Sequence, residues 1–575
     1  MNRRKFMEQN GLLAGYAVFL PGGLSGLLSP DKAVLPVKKP NWLVQLIHMN
    51  DGNVENLRFK RITNPEDPGY GGISDAYGMA SAHAVTSFLK SGICALATEE
   101  SKFYNNESLS KELLAAAEYL KKVQHEDGTI DLLSTNFHST PDTGFIVKWL
   151  CPTYHLLERG QVPQKEALMT ALAGFLKNAG KALVTGGIHT PNHRWVVCAA
   201  LAGLYRIWPE QAYLERAETW LAEGIDLDED GQYEEKSSYI YSSLSNRVLI
   251  STARGFAGKE YLLDEVRKNL DMTFYYLHPN GEIVTEASGR QDNSIVGHLE
   301  RYYYPYRYMA LLDNNGYYAA ACRLVEETAF PKVVGDIQYF LEDPALWEEL
   351  PARKPLPTDY SKKFPNSGLI RIRRGDYDAS ILLNNAVFFT FHKGNAVLQG
   401  VRLAAAFFGK GQFVSEDFKE KGGEVILERS LEGPYYQPFP KEKIPGDGDW
   451  SKMPRSQRAQ SEVQKLKTLV KIREIPEGFE LEIDIRGTDH VPVALELIFR
   501  PGGSFSKVEQ HESMDKVYFL KSDEGRYTCG GDTIVFGPGQ HGHEWVEIRG
   551  GLPRMDAPTV FLTGSTPFHH KLKVS

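Results

Sequence analysis

The apolar residues of this 575-residue chain change their spacing once, near residue 350, and that switch limits what the chain can fold into. From about residue 75 to 345 they recur three to four positions apart, the period of one helix face. SAHAVTSFLKSGICALA, SLSKELLAAAEYLKKVQ, DTGFIVKWLCPTYHLLERG and KEYLLDEVRKNLDMTFYYL all read this way. From about 365 the pattern alternates or runs β-branched, as in GLIRIRRG, DASILLNNAVFFTFH, GFELEIDIRG and VALELIFRPGG, with Gly, Asp and Asn turns between. The Pro-rich stretch EELPARKPLPTDYSKKFPNS, residues 348 to 367, divides the two parts. The reading is a helical domain over 31–350 followed by an antiparallel β-sandwich over 366–575.

Turns repeat within the helical part. Asp127-Gly128, Asp230-Gly231 and Asn280-Gly281 punctuate it; the last two are 50 residues apart and the first two 103, close to twice that. A period near 50 holds two helices and two loops, so the domain is expected to be an (α/α) toroid of hairpins with equivalent loops on one rim. Within the β part, QPFPKEKIPGDGDWSKMPRSQRAQ reads as a long loop.

The first 30 residues, MNRRKFMEQNGLLAGYAVFLPGGLSGLLSP, pair Arg3-Arg4 with a short, Gly-broken apolar run. That resembles a twin-arginine export signal, and the run is too short for a good spanning helix. The protein is expected in the periplasm or outside the cell, with no membrane association beyond this signal. A net charge of −8 argues against a nucleic-acid partner. Cys94, Cys151, Cys198, Cys322 and Cys529 are scattered, with no CxxC pair, and read as reduced residues without a disulfide framework.

The candidate chemistry lies at helix beginnings. TPNHRWVVCAALAGLY opens a helix that is apolar all round with Asn192, His193 and Arg194. Thr190 suits the N-cap and Pro191 the first helical position. One hairpin later, DEDGQYEEKSSYIYSSLSNRVLI carries Glu235, Ser237, Tyr239, Tyr241 and Arg247. One hairpin earlier, His138 and Asp142 precede another helix; one later still, Arg290 follows Asn280-Gly281. On a toroid these positions converge. Asn, His, Tyr and Arg suit β-elimination on a uronic acid. Asn192 and an arginine, Arg247 or Arg290, would neutralise the sugar carboxylate, helped by the helix N-terminus. His193, kept neutral there, would take the C5 proton, and Tyr241 would protonate the leaving O4. A tyrosine beside arginine can instead serve as a phenolate base. Hydrolysis needs two carboxylates, for which Asp142 and Glu235 are candidates. A non-catalytic glycan-binding protein is a third reading.

With NHRW opening a buried helix and DGQYEEKSSYIY downstream, the chain resembles the heparinase II/III-like and alginate-lyase-like polysaccharide lyases over residues 70 to 420. The resemblance implies an (α/α) toroid plus antiparallel β-sandwich and an anionic polysaccharide or oligosaccharide substrate. It matches the family's Asn-His to Asn192-His193. The family's tyrosine falls at Ile240, between Tyr239 and Tyr241, of which Tyr241 is favoured as acid and Tyr239 kept as substrate-binding. The β-domain histidine would be His392, with Arg402 also facing the cleft; by their rim positions, His138 and Arg290 are expected to bind substrate. No redox cofactor is implied. These lyases often carry a structural zinc in the β domain, held by His and Asp; the H-x-H pair His541 and His543 is the candidate for such a divalent metal.

Overall fold

The computed structural model describes residues 38–575 apart from Ser522. The export signal expected over residues 1–30 lies outside the described residues. The helices are α1 (Asn41–Phe59), α2 (Ala82–Leu96), α3 (Glu107–Lys122), α4 (Thr140–Arg159), α5 (Lys165–Thr185), α6 (Pro191–Ile207), α7 (Gln211–Leu221), α8 (Tyr241–Gly255), α9 (Leu262–Thr273), α10 (Tyr303–Leu312), α11 (Gly316–Thr328) and α12 (Ile337–Glu342). Among these, α2, α4, α6, α8 and α10 pack in succession as an inner ring, and α3, α5, α7, α9 and α11 return outside them.

Burial follows the sequence pattern. Inner α6 buries Trp195 and every residue from Val196 to Ala202, which is why it has almost no polar face. Outer α9, with Asp264, Glu265, Arg267 and Lys268 on one side, buries only a stripe. Short α12 is buried throughout and plugs the bore. Its Glu342 pairs with Arg206 of α6 at 2.6 Å and its Tyr339 stacks on Tyr304 of α10 at 4.7 Å. The YYYPYRY run of 302–308 is accordingly core: Tyr302, Tyr303, Tyr304 and Tyr306 are fully buried. Cys94, Cys151, Cys198 and Cys322 are buried free thiols and Cys529 is half-buried.

The repeated turns have one geometry. His125 N bonds Thr129 O and Gly128 N bonds His125 O; Asp228, Gly231 and Gln232 repeat this, as do His278, Gly281 and Glu282. The three glycines have φ of 85°, 85° and 82°. A Cβ at Gly128 would fall 2.2 Å from the Asn178 carbonyl of α5, so only glycine fits there. A fourth copy, Asp75 N to Met79 O with Gly78 at φ 80°, lies 128 − 78 = 50 residues earlier.

The β part is two stacked sheets of nine and eight strands. Its ladders are antiparallel except that Val517–Phe519 runs parallel to Thr559–Ser565. The first strand, Asp359–Phe364, starts inside the Pro-rich stretch, seven residues before 366 (366 − 359 = 7). The toroid's apolar core continues into Phe364, Leu369 and Leu382, so the helical domain docks on the edge of the nine-stranded sheet. The repeated turns carry much of this junction. Ser367 N bonds the Asp230 carboxylate at 3.0 Å, Tyr360 Oη donates to Tyr275 O at 3.1 Å, and Arg500 pairs with Glu282 at 2.8 Å. Among the described residues no helix is long and apolar enough to cross a membrane.

Candidate active site

Successive inner helices run the same way, so α2, α4, α6, α8 and α10 present their N-termini at one rim. Unpaired N–H groups and positive dipole ends gather there. α6 begins at Pro191 after Thr190, whose backbone is extended but whose hydroxyl makes no cap hydrogen bond; the cap is conformational only. Asn192, in the first turn, is buried at 2% exposure. Its Nδ2 donates to Glu235 Oε1 at 2.6 Å, while its Oδ1 is buried without a partner. Glu235 Oε2 lies 3.2 Å from Arg290 Nε. The Arg290 guanidinium sits over the Tyr241 ring, 5.1 Å from its centroid, and the Tyr241 hydroxyl accepts from Gln291 Nε2 at 2.8 Å. His193 stands beside His189 and Phe145, at ring separations of 5.1 and 6.1 Å.

Burial, reinforced by His189 and Arg290 and opposed by Asp142, brings the His193 imidazole down to about 4. It is neutral near pH 7, and its buried Nδ1 has no hydrogen-bond partner. Asp142 accepts from Ser139 Oγ at 2.5 Å and Asn136 Nδ2 at 3.0 Å, and lies 3.6 Å from His83 Nε2. The rim therefore holds a neutral base, an amide, a guanidinium and a phenol, and both carboxylates among them are already engaged by donors.

Tyr241 is fixed by a residue the sequence reading passed over. Asp292, fully buried, accepts through Oδ2 from Ser237 Oγ at 2.8 Å and from the backbone N–H groups of Tyr239 and Ile240 at 3.1 and 3.2 Å. It thus caps the start of α8 from 52 to 55 residues away. A carboxylate at a helix beginning is the signal, but here it comes from a different loop. His83 and His189 were also missed; His83, second in α2 after the Ser81 cap, carries the same helix-beginning signal as His193, while nothing local marks His189.

Several expected site residues lie elsewhere. His138 turns outward, pairing with Asp127 at 2.7 Å and stacking on His125 at 3.7 Å. Tyr239 is buried, donates to Glu300 at 2.5 Å and packs under the Arg301 guanidinium, so it is not on the rim surface. Arg247 points into the bore, where it pairs with Asp336 at 3.1 Å and bonds Arg301 O. Arg402 forms a buried pair with Glu496, directly opposite on the neighbouring strand. His392 is buried at the domain junction, stacked on His278 at 3.6 Å, with burial above all holding its imidazole well below the usual histidine range. His543 spends both ring nitrogens on backbone, Nε2 on Gly564 O and Nδ1 on Trp545 N, while the His541 ring packs on Phe519. That pair does not fit a metal.

No protein-family model matches the sequence, and no curated protein matches it. Solved structures do. Heparinase III aligns over 95% of this chain and 84% of its own, with 12% identity and TM-score 0.53. A chondroitin AC lyase mutant from Streptomyces coelicolor aligns over 94% and 80%, with 12% identity and TM-score 0.53. A Paenibacillus xanthan lyase aligns over 92% of this chain and 56% of its own, with 10% identity and TM-score 0.51. The chain has the toroid-plus-sandwich fold of these proteins.

Proposed function

We propose that the chain is a polysaccharide lyase that cleaves a uronate-bearing glycan by β-elimination at the rim. The observation that carries this reading is the meeting of Asn192, His193, Tyr241 and Arg290 from three successive hairpins. The names of the structural neighbours, heparinase III and chondroitin AC lyase, support an anionic polysaccharide substrate. In this scheme the sugar carboxylate binds against Arg290 and Asn192, exchanging with the Glu235 carboxylate that those donors now hold. The inner helix N-termini stabilise the charge that develops as C5 loses its proton. His193, neutral and with a free nitrogen, takes that proton. The Tyr241 phenol, oriented by Gln291 and Arg290, delivers one to the departing O4. The product is an unsaturated sugar at the new non-reducing end. The reaction needs no redox cofactor, and the Arg3-Arg4 signal suits an enzyme exported to meet its polymer.

The test is incubation with a panel of uronate polysaccharides, following ultraviolet absorbance of the conjugated enoate. New absorbance that Tyr241→Phe abolishes supports the reading. Reducing ends released without absorbance would make the protein a hydrolase, and binding without either product a glycan-binding protein.

A further inference from the structure

The junction between toroid and sandwich holds a second cluster that elimination does not use. His278 and Glu286 come from the toroid loop after α9, and His392 from the strand Phe389–Lys393. One ligand-capable atom of each lies within 4.8 Å of the others. His278 and His392 are 2% and 3% exposed. The surroundings of His278 and Glu286 orient them as metal ligands are oriented. His278 Nδ1 faces Asp378 at 3.0 and 3.1 Å, which leaves Nε2 toward Glu286 Oε2 at 3.6 Å. Asp378 is itself held by Arg371 at 2.6 Å. Glu286 Oε1 accepts from Ser380 Oγ at 2.7 Å and Thr390 Oγ1 at 3.1 Å, while Oε2 accepts from Thr285 N at 3.1 Å and turns its other lone pair toward His278. A carboxylate behind a histidine, and hydroxyls behind a ligating carboxylate, are the outer contacts that fix ligand geometry.

One polar atom of the cluster lacks a protein partner. His392 Nδ1 is buried with no hydrogen-bond partner among the described residues, a costly state for a polar nitrogen. The two imidazoles stack with planes 2° apart, and neither has a donor from the other. A cation bound between them and Glu286, after a turn of the His392 ring, would satisfy both. Two imidazoles and one carboxylate are a donor set for a borderline transition ion; calcium and magnesium take oxygen ligands. Burial on both sides of the junction makes the role structural.

We propose that His278, Glu286 and His392 form a divalent-metal site, zinc by its donors, that clips the toroid to the sandwich. This is not the sandwich-internal His–Asp site that the family resemblance implies, since two of the three donors come from the toroid. The inference stands apart from the proposed elimination.

The test uses the full-length protein, stripped with chelator, reloaded with zinc and freed of excess. The expected result is one zinc per chain by mass spectrometry, a higher melting temperature than the stripped protein, and visible tetrahedral bands on cobalt(II) substitution. His392→Ala should lose the bound metal and the bands. Thr390→Val, which keeps the packing but removes a hydroxyl from Glu286, should weaken zinc binding by about tenfold or more. His543→Ala should leave the zinc stoichiometry and the cobalt bands unchanged. If folded wild type retains less than about a tenth of an equivalent, or His392→Ala retains as much as wild type, the site is not there. If His392→Ala does not fold, the wild-type stoichiometry and the Thr390→Val affinity decide.

Discussion

Asn192 Nδ2 lies 2.6 Å from Glu235 Oε1, and the other oxygen of that carboxylate lies 3.2 Å from Arg290. One carboxylate is thus shared by the amide and the guanidinium that would receive the substrate's. Replacing Asn192 by Ala removes a donor aimed at developing charge, and elimination should fall by about 10²–10³. Glu235 keeps Arg290, so the fold should survive with a loss of about 1–2 kcal/mol. Enoate formation and a urea titration measure the two effects separately.

The Tyr241 hydroxyl has Gln291 as its hydrogen-bond partner and Arg290 over its ring. Tyr241→Phe keeps the ring and the stacking and deletes the proton. Turnover should drop by about 10²–10⁴. Gln291→Ala, which only releases the hydroxyl, should cost far less; equal losses in the two variants would mean that orientation, not proton transfer, sets the rate.

His193 sets the acid side of the reaction. Its folded value, brought down to about 4 by burial, lies below the ordinary 6.5. The folded site therefore resists protonation, and kcat/KM should hold as pH falls through 6 and decline only near 4. The same shift acts on stability. Between these two values the unfolded chain binds the proton and the folded one does not, so this residue's contribution falls as pH drops from 6.5 toward 4. A decline centred near 6.5 would identify a different base.

Asp292 is the hinge between the site and the fold. Asp292→Ala would leave two backbone N–H groups and the Ser237 hydroxyl at the start of α8 without their acceptor. The expected loss is about 2–4 kcal/mol, seen as a lower urea midpoint. Elimination should fall as well, because Tyr241 is the first residue of that helix.

Residues at helix beginnings were legible because position along a helix is position across the toroid. Asn192, His193 and Tyr241 open their helices and reach the rim. Arg247 shares a helix with Tyr241 but lies six residues on, about 9 Å down the axis, which puts it inside the bore. Side-chain periodicity cannot report that depth without the ring. His392 is half legible. Phe389 and Phe391 enter the sandwich core, so Thr390 and His392 face the other way. That the toroid covers this face, and brings His278 and Glu286 to it, depends on a docking that no local pattern encodes. Arg402 meets Glu496 through strand register, which is equally long-range. His138 failed for a local reason: it has φ of 49°, and the preceding turn supplies Asp127 as a closer partner than anything on the rim.

Inside the bore, Lys148 is 4% exposed and lines a cavity of about 20 Å³ with Arg206, Arg254, Tyr339 and Glu342. Glu342 is taken by the two arginines, and among the described residues no carboxylate lies within ion-pair distance of the Lys148 ammonium. Its neighbours are the rings of Trp149 and Phe145, at 4.7 and 5.3 Å. Burial first, then Arg247 and Lys90, hold it well below the usual lysine range. An unpaired buried cation of this kind costs stability, and a methionine fills the same volume without charge. Lys148→Met should therefore raise unfolding stability by about 1–3 kcal/mol, read as a higher urea midpoint at unchanged m. The pH dependence has a definite sign. The unfolded lysine keeps its proton to higher pH than the folded one, so wild-type stability should rise between the folded value and about 10.4, and Lys148→Met should lack that rise. Lys148→Ala, which opens a void beside α12, should lose stability instead, and this separates the charge from the packing.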